Sequence, residues 1–109
     1  MKYNLKINGI GMKVPHEVYT NEDIQRITPN SKADWIVDKL GILQRHICTT
    51  EDVVQLGATA AMEALMMADM SEDDINLIIV NTSSSDKISP SVACMIQNKI
   101  NAKCPSFDI

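Results

Sequence analysis

The sequence predicts an α/β layered fold built on a largely parallel sheet, and three observations carry that expectation. Residues 77–80, Leu-Ile-Ile-Val, run continuously apolar between polar neighbours, as a strand covered on both faces must. Segments of helical periodicity alternate with such strand-like runs, the order that parallel strands need for their crossovers. The chain is 109 residues long, 45% hydrophobic and 22% charged, which suits one small soluble domain and not two.

Residues 2–15 alternate polar and apolar side chains up to Gly9 and read as a first strand, bent or bulged at Gly9 and Gly11. Thr20 or Asn21 caps a short helix with Glu22 and Asp23 in its first turn, ending before Pro29. Ser31 caps a second short helix, with Asp34 three residues on, Gly41 at the C-terminal cap, and Trp35, Ile36 and Leu40 at helical spacing. Residues 42–49 form a strand or extended arm. Residues 49–52 fit a capping box for the longest helix, whose stripe is Val53, Leu56, Ala60, Ala64 and Met67. Ala58, Ala61 and Met62 carry apolar character onto its other faces, so it is expected to be covered on more than one side. "SEDDI" turns the chain into the apolar strand. Ser89 or Ser91 caps a further helix with Pro90 in its first turn, and "CPSFDI" is the next strand. One long and one shorter helix are few for covering at least three strands on both faces. The chain therefore reads as part of something larger.

Composition removes several classes of function. The net charge is −4, and the ten basic residues are scattered without a stripe that could track a phosphate backbone, so nucleic acid is not a partner. The N-terminal residues alternate rather than form an apolar run, which is not a secretory signal, and no stretch is long enough to cross a bilayer. Cys48, Cys94 and Cys104 are widely spaced with no C-x-x-C pair, so reduced thiols in a cytoplasmic protein are expected, with no metal centre. Asn81-Thr82-Ser83 matches a glycosylation sequon and is read as chance. The aromatic residues are Trp35, Phe107, Tyr3 and Tyr19, so Ile, Val, Leu, Ala and seven Met must build the core.

Few residues are placed for chemistry. A nucleophilic Cys needs a base or a helix N-terminus to lower its pKa. Cys94 lies within a helix near Val92 and Ile96 and reads as a buried small hydrophobe. Cys104 has no base beside it. His46 and Cys48 would share one face of an extended strand, but no third group orients them. His16 and His46 are too far apart for a metal site. Asp69, Glu72, Asp73 and Asp74 lack the glycine and spacing of a calcium loop. "GIGMK" runs from a strand into Pro15 and is no phosphate loop. Trp35 is the sole tryptophan, on a short polar helix flanked by Lys32, Lys39 and Arg45. It is either a core anchor or an aromatic face that stacks on a purine, with Lys39 one turn on along the same face to meet phosphate.

The segments "VPHEVYTNEDIQRI", "DWIVDKLGILQRHI", "DINLIIVNTSS", "SPSVACMIQNKI" and "CPSFDI" resemble, in order and spacing, the N-terminal third of β-ketoacyl-acyl-carrier-protein synthase III, a condensing enzyme of the thiolase superfamily. The resemblance runs from about Ile7 to Ile109. It implies an αβαβα layered fold, of which residues 1–109 supply part of the N-terminal half. It implies a homodimer that moves an acyl group from acyl-CoA to a cysteine and condenses it with malonyl-acyl-carrier protein by decarboxylation, without a cofactor. The nucleophile would follow Phe107-Asp108 by a few residues, with its His and Asn further downstream. The chain would then hold no catalytic residue, be inactive alone, and need the remainder of the same protein as a partner.

The resemblance also implies a coenzyme A entrance. Trp35 matches the family's adenine-stacking tryptophan, and Ser31 a hydroxyl residue near the adenine. Lys39 stands where the family often has arginine, in Asp38-Lys39-Leu40-Gly41-Ile42, and lacks the planar fork that binds phosphate in two places. Ser89 falls where relatives often carry an aromatic bordering the partner subunit's acyl pocket, and implies a different or roomier pocket. Other thiolase-like acyltransferases fit the same residues, a specialised-metabolite ketosynthase or a hydroxymethylglutaryl-CoA synthase among them, as does a non-catalytic acyl-CoA-binding module.

Overall fold

A computed structural model describes residues 4–85 and 87–109. The chain divides into two compact units, one of Met1–Lys13 with Asp52–Ile109 and the other of Val14–Glu51.

The smaller unit is a two-stranded antiparallel sheet with two helices between its strands. β1, Glu17–Thr20, pairs with β2, Gln44–Ile47, with Tyr19 opposite Arg45. The sequence predicted β2 but not β1, and it did not foresee that this pair stands apart from the parallel sheet. α1, Asn21–Ile27, begins at a capping box in which Thr20 accepts from the Asp23 backbone N–H and Asp23 accepts from that of Thr20. α2, Ala33–Leu40, ends at Gly41, whose positive φ of 67° closes the last turn. Its N-cap is Lys32 and not Ser31, because the Ala33 N–H is taken by the Gln25 side chain at 2.9 Å. Asn21 is buried and locks the unit together. Its Nδ2 donates to the Ile42 carbonyl at 2.8 Å, while its Oδ1 accepts from the Arg45 guanidinium. A buried amide is tolerated because both of its ends are satisfied.

In the larger unit, α3 (Val53–Ala68) and α4 (Val92–Lys99) pack beside a parallel pair formed by β3, Ile78–Val80, and β4, Ser106–Asp108. Ala58, Val92, Ile96, Ile100, Ala102 and Cys104 form the buried cluster, with Ile78 and Val80 packed against it. Val92 is fully enclosed, a burial that contributes roughly 1.5–3 kcal/mol. α3 starts at Asp52, which accepts from the Gln55 N–H at 2.6 Å, and not at Thr49. A carboxylate serves there as both cap and complement to the helix dipole. Asp69, with a φ of 54°, ends it. Ser91 caps α4 through the Cys94 N–H, so Pro90 precedes the helix rather than entering it.

The predicted first strand is the main difference. Lys2 and Tyr3 lie outside the described residues. Residues 4–15 are not part of any ladder, because none of the described strands lies alongside to pair with them. Residues 4–13 run across α3 instead, where the Ile10 N–H meets Met67 Sδ at 3.4 Å and the Met12 N–H donates to Glu63 at 3.2 Å. Gly9 and Gly11 therefore mark close backbone approach to Ala64 and Ala60 rather than a bulge. This covers α3 on a second side, as its apolar faces predict.

Candidate functional site

Two local arrangements could carry function, one in each unit. The first is the start of α2. Helical geometry presents Ile36 to the interior and leaves the neighbouring Trp35 55% exposed, so Trp35 is not a core anchor. Asn30, Ser31, Lys32 and Trp35 line a cleft of about 380 Å³. The cleft offers an aromatic face, one hydroxyl, one amide and one ammonium group, a set suited to a flat heteroaromatic ring. Lys39 is exposed one turn along the helix and pairs with Asp38 at 2.9 Å. Both partners of that pair face solvent, so it holds Lys39 only weakly.

The second arrangement lies at the carboxyl ends of β3 and β4, where parallel sheets place their ligands. Thr82, Ser83, Ser85, Lys87, Ile88, Ser91, Ser106, Phe107 and Asp108 line a cleft of about 610 Å³. Strand alternation points Ser106 and Asp108 toward α4 and Phe107 away from it. The Asp108 carboxylate accepts the Val92 N–H at 2.8 Å and the Ala93 N–H at 2.7 Å, two of the N–H groups that a helix N-terminus leaves without intrahelical partners. Ser106 Oγ bonds Gln97 Oε1 at 3.0 Å, and Gln97 Nε2 donates to the Cys104 carbonyl at 2.9 Å. Ser89 is exposed at the foot of α4, three residues before Val92, the first of these N–H groups.

Cys94 is half-buried beside this cleft. The Ser106 hydroxyl, 3.4 Å from its Sγ, holds the thiol below its usual pKa, and Ser91 acts in the same direction. Burial and the Asp108 charge oppose them. His46 and Cys48 do not form a working pair, since His46 Nδ1 lies 2.7 Å from the Pro15 carbonyl and Cys48 is exposed. Among the described residues no group of three His, Cys, Asp or Glu is placed to hold a metal, and no helix is long and apolar enough to cross a membrane.

The structure thus brings Ser31 and Trp35 into one cleft, with Lys39 outside its lining, and places Ser89 in the other unit. The tie from Asp108 to α4 was not foreseen from the sequence. The alternation of Ser106-Phe107-Asp108 was the available signal, because it puts Ser106 and Asp108 on the face opposite Phe107.

No family model matches the chain. Curated relatives do match. The β-ketoacyl-[acyl-carrier-protein] synthase III of Vesicomyosocius okutanii is 42% identical over 104 residues, which are 95% of this chain and 33% of that protein. The synthase of the same name from Clostridium acetobutylicum is 42% identical over 107 residues, 97% of this chain and 33% of its own length. The chain spans about a third of the length of the curated relatives it matches. Among solved structures, 3-oxoacyl-[acyl-carrier-protein] synthase III from Aquifex aeolicus superposes with a TM-score of 0.91 at 37% identity, over 95% of this chain and 34% of that one. OleA from Xanthomonas campestris, solved with bound lauric acid and lauroyl-CoA, superposes with a TM-score of 0.82 at 25% identity, over 94% of this chain and 33% of that one.

Proposed function

We propose that the chain belongs to the β-ketoacyl-[acyl-carrier-protein] synthase III family, a third of whose members' length it matches within the thiolase-like α/β fold, and that the whole protein is the condensing acyltransferase that joins an acyl-CoA primer to malonyl-acyl-carrier protein with decarboxylation. The observation that carries this reading is the 42% identity sustained over 95% of the chain. Residues 1–109 are then the N-terminal segment that precedes the nucleophile, and the remainder of the protein supplies the Cys, His and Asn. The same reading makes the enzyme a cytoplasmic homodimer that starts fatty-acid synthesis.

In this proposal the α2 cleft is the coenzyme A entrance. Trp35 stacks on the adenine, Ser31 hydrogen-bonds at the ring edge, and Lys39 meets a phosphate as a point charge. The exposed indole and the Ser31 hydroxyl beside it support that assignment. The lauroyl-CoA bound by OleA supports the ligand class. Ser89 borders the partner subunit's acyl pocket. A second reading, a condensing enzyme of specialised metabolism, draws on the small Ser89 and on Lys39 in place of arginine, both of which alter primer handling.

Trp35 is the sole tryptophan of the chain, so its emission reports directly on stacking. Titration of coenzyme A into the chain, with circular dichroism confirming the fold, is expected to quench that emission saturably, with Trp35→Phe weakening the affinity measured by calorimetry. Unchanged Trp35 emission in a folded chain at millimolar coenzyme A would overturn the assignment. Condensation of acetyl-CoA with malonyl-acyl-carrier protein by the full-length protein tests the activity itself.

A further inference from the structure

The cleft at the carboxyl ends of β3 and β4 has walls of different origin. Ser106, Phe107 and Asp108 belong to a strand, whereas Lys87, Ile88 and Ser91 belong to the loop that leads into α4. Ile88 and Ser89 are exposed, and neither makes a side-chain hydrogen bond among those of the described residues. What fixes the end of this loop is Asp108. Both of its carboxylate oxygens are used, one on Val92 N–H and the other on Ala93 N–H, at 2.8 and 2.7 Å. Charge-assisted bonds of this length are the stronger kind, and together they set the position of the α4 N-terminus relative to the strand.

We propose that Asp108 is a positioning residue for primer selection: by tying the α4 N-terminus to the end of β4 it sets where residues 87–91 stand, and so how Ser89 meets the partner subunit's acyl pocket. The inference rests on the proposed condensing activity and on Ser89 bordering the partner subunit's acyl pocket. Ser91 caps the same helix through Cys94 N–H, but it travels with the loop and cannot set the distance to β4. Asp108 spans the two elements and can.

The test is the primer profile of the full-length enzyme carrying this sequence, measured as kcat/KM for acetyl-CoA and for a series of longer and branched acyl-CoA primers. Asp108→Asn replaces one acceptor oxygen with an NH2 that faces a backbone N–H, so one tie is lost. The ratio between long and short primers is expected to shift severalfold as the loop moves. Asp108→Glu keeps the carboxylate and moves it by a methylene. It is expected to shift the ratio less, and it serves if the Asn variant does not fold. Asp52→Ala, which removes the cap of α3, provides a destabilised control and is expected to leave the ratio unchanged. A ratio unmoved in every soluble Asp108 variant overturns the proposal, as does an equal shift in Asp52→Ala. Absence of condensation with every primer in the wild-type enzyme overturns instead the activity on which the proposal rests.

Discussion

Gly11 lies against Ala60 so closely that a Cβ on the glycine would collide with the Ala60 carbonyl oxygen, and Gly9 stands in the same relation to Ala64. The two glycines are spaced by two along an extended segment, and the two alanines by four along a helix. The spacings match because two extended residues and one helical turn each advance the chain by about 6 Å. Gly11→Ala is therefore expected to destabilise the chain by about 1–3 kcal/mol, as overpacking does. An unstrained glycine would give the opposite sign, since alanine reduces the freedom of the unfolded chain by roughly 0.4–1 kcal/mol. Urea unfolding followed by circular dichroism separates the two outcomes.

Lys39 is exposed and held only by an exposed pair with Asp38. In the proposed coenzyme A site it acts as a point charge, whereas a guanidinium could engage two phosphate oxygens at once. Lys39→Arg is expected to tighten coenzyme A binding several-fold and Lys39→Ala to weaken it, with the loss shrinking as salt is raised. Calorimetry at two ionic strengths checks both. Equal affinities for all three side chains would remove Lys39 from the site.

Three surface carboxylates have their pKa values lowered by hydrogen bonds to the backbone: Asp23 by the Thr20 N–H, Glu51 by the His16 N–H, and Asp74 by the Ser71 N–H. A group whose pKa is depressed on folding stabilises the fold when ionised. That contribution is fully present above the unfolded-state pKa and is lost as pH falls through the folded one. Stability is expected to be level above about pH 5 and to decline below about pH 4, where free carboxylates of this kind protonate. Asp23→Asn and Asp74→Asn should each lower stability at neutral pH and flatten the acid decline. Melting temperatures between pH 3 and pH 7 provide the measurement.

Ile79 and Phe107 are register partners in the parallel pair, and both are about half exposed on the face turned away from α3 and α4. Leu77 and Ile109 extend that apolar exposure at either end of the strands. Parallel sheets are covered on both faces, so a bare one is adhesive. The chain alone is expected to bind a hydrophobic dye and to self-associate. Phe107→Lys should reduce both while changing the melting midpoint little, because the ring leaves the packed cluster untouched. Sedimentation and dye fluorescence distinguish this from a loss of fold.

Local chemistry was well legible in the sequence wherever one segment settles its own structure. The helix of residues 53–68, the αL close at Gly41 and the apolar strand of residues 78–80 all follow from periodicity and cap residues whose partners lie within a turn or two, and a serine cap for α4 was legible as Ser89 or Ser91, of which the structure uses Ser91. Trp35 could be singled out from the chain as the sole tryptophan on a short polar helix, whereas Ser31, which precedes that helix, was named for the site only through the family resemblance.

What depends on distant partners was decided only by the tertiary structure. Residues 4–13 have the alternation of a strand, but a strand exists only where another lies alongside, and their surroundings make them a strap over α3. Ser31 looks like a cap until Gln25, eight residues from Ala33, takes that N–H. Asp108 looks like the last polar residue of a strand until α4, sixteen residues earlier in the chain, presents it with two open donors. Periodicity determined which elements form because it is set by neighbours along the backbone. Which residues meet at the two clefts required the packed chain, because hydrogen bonds and close contacts are made by proximity in space.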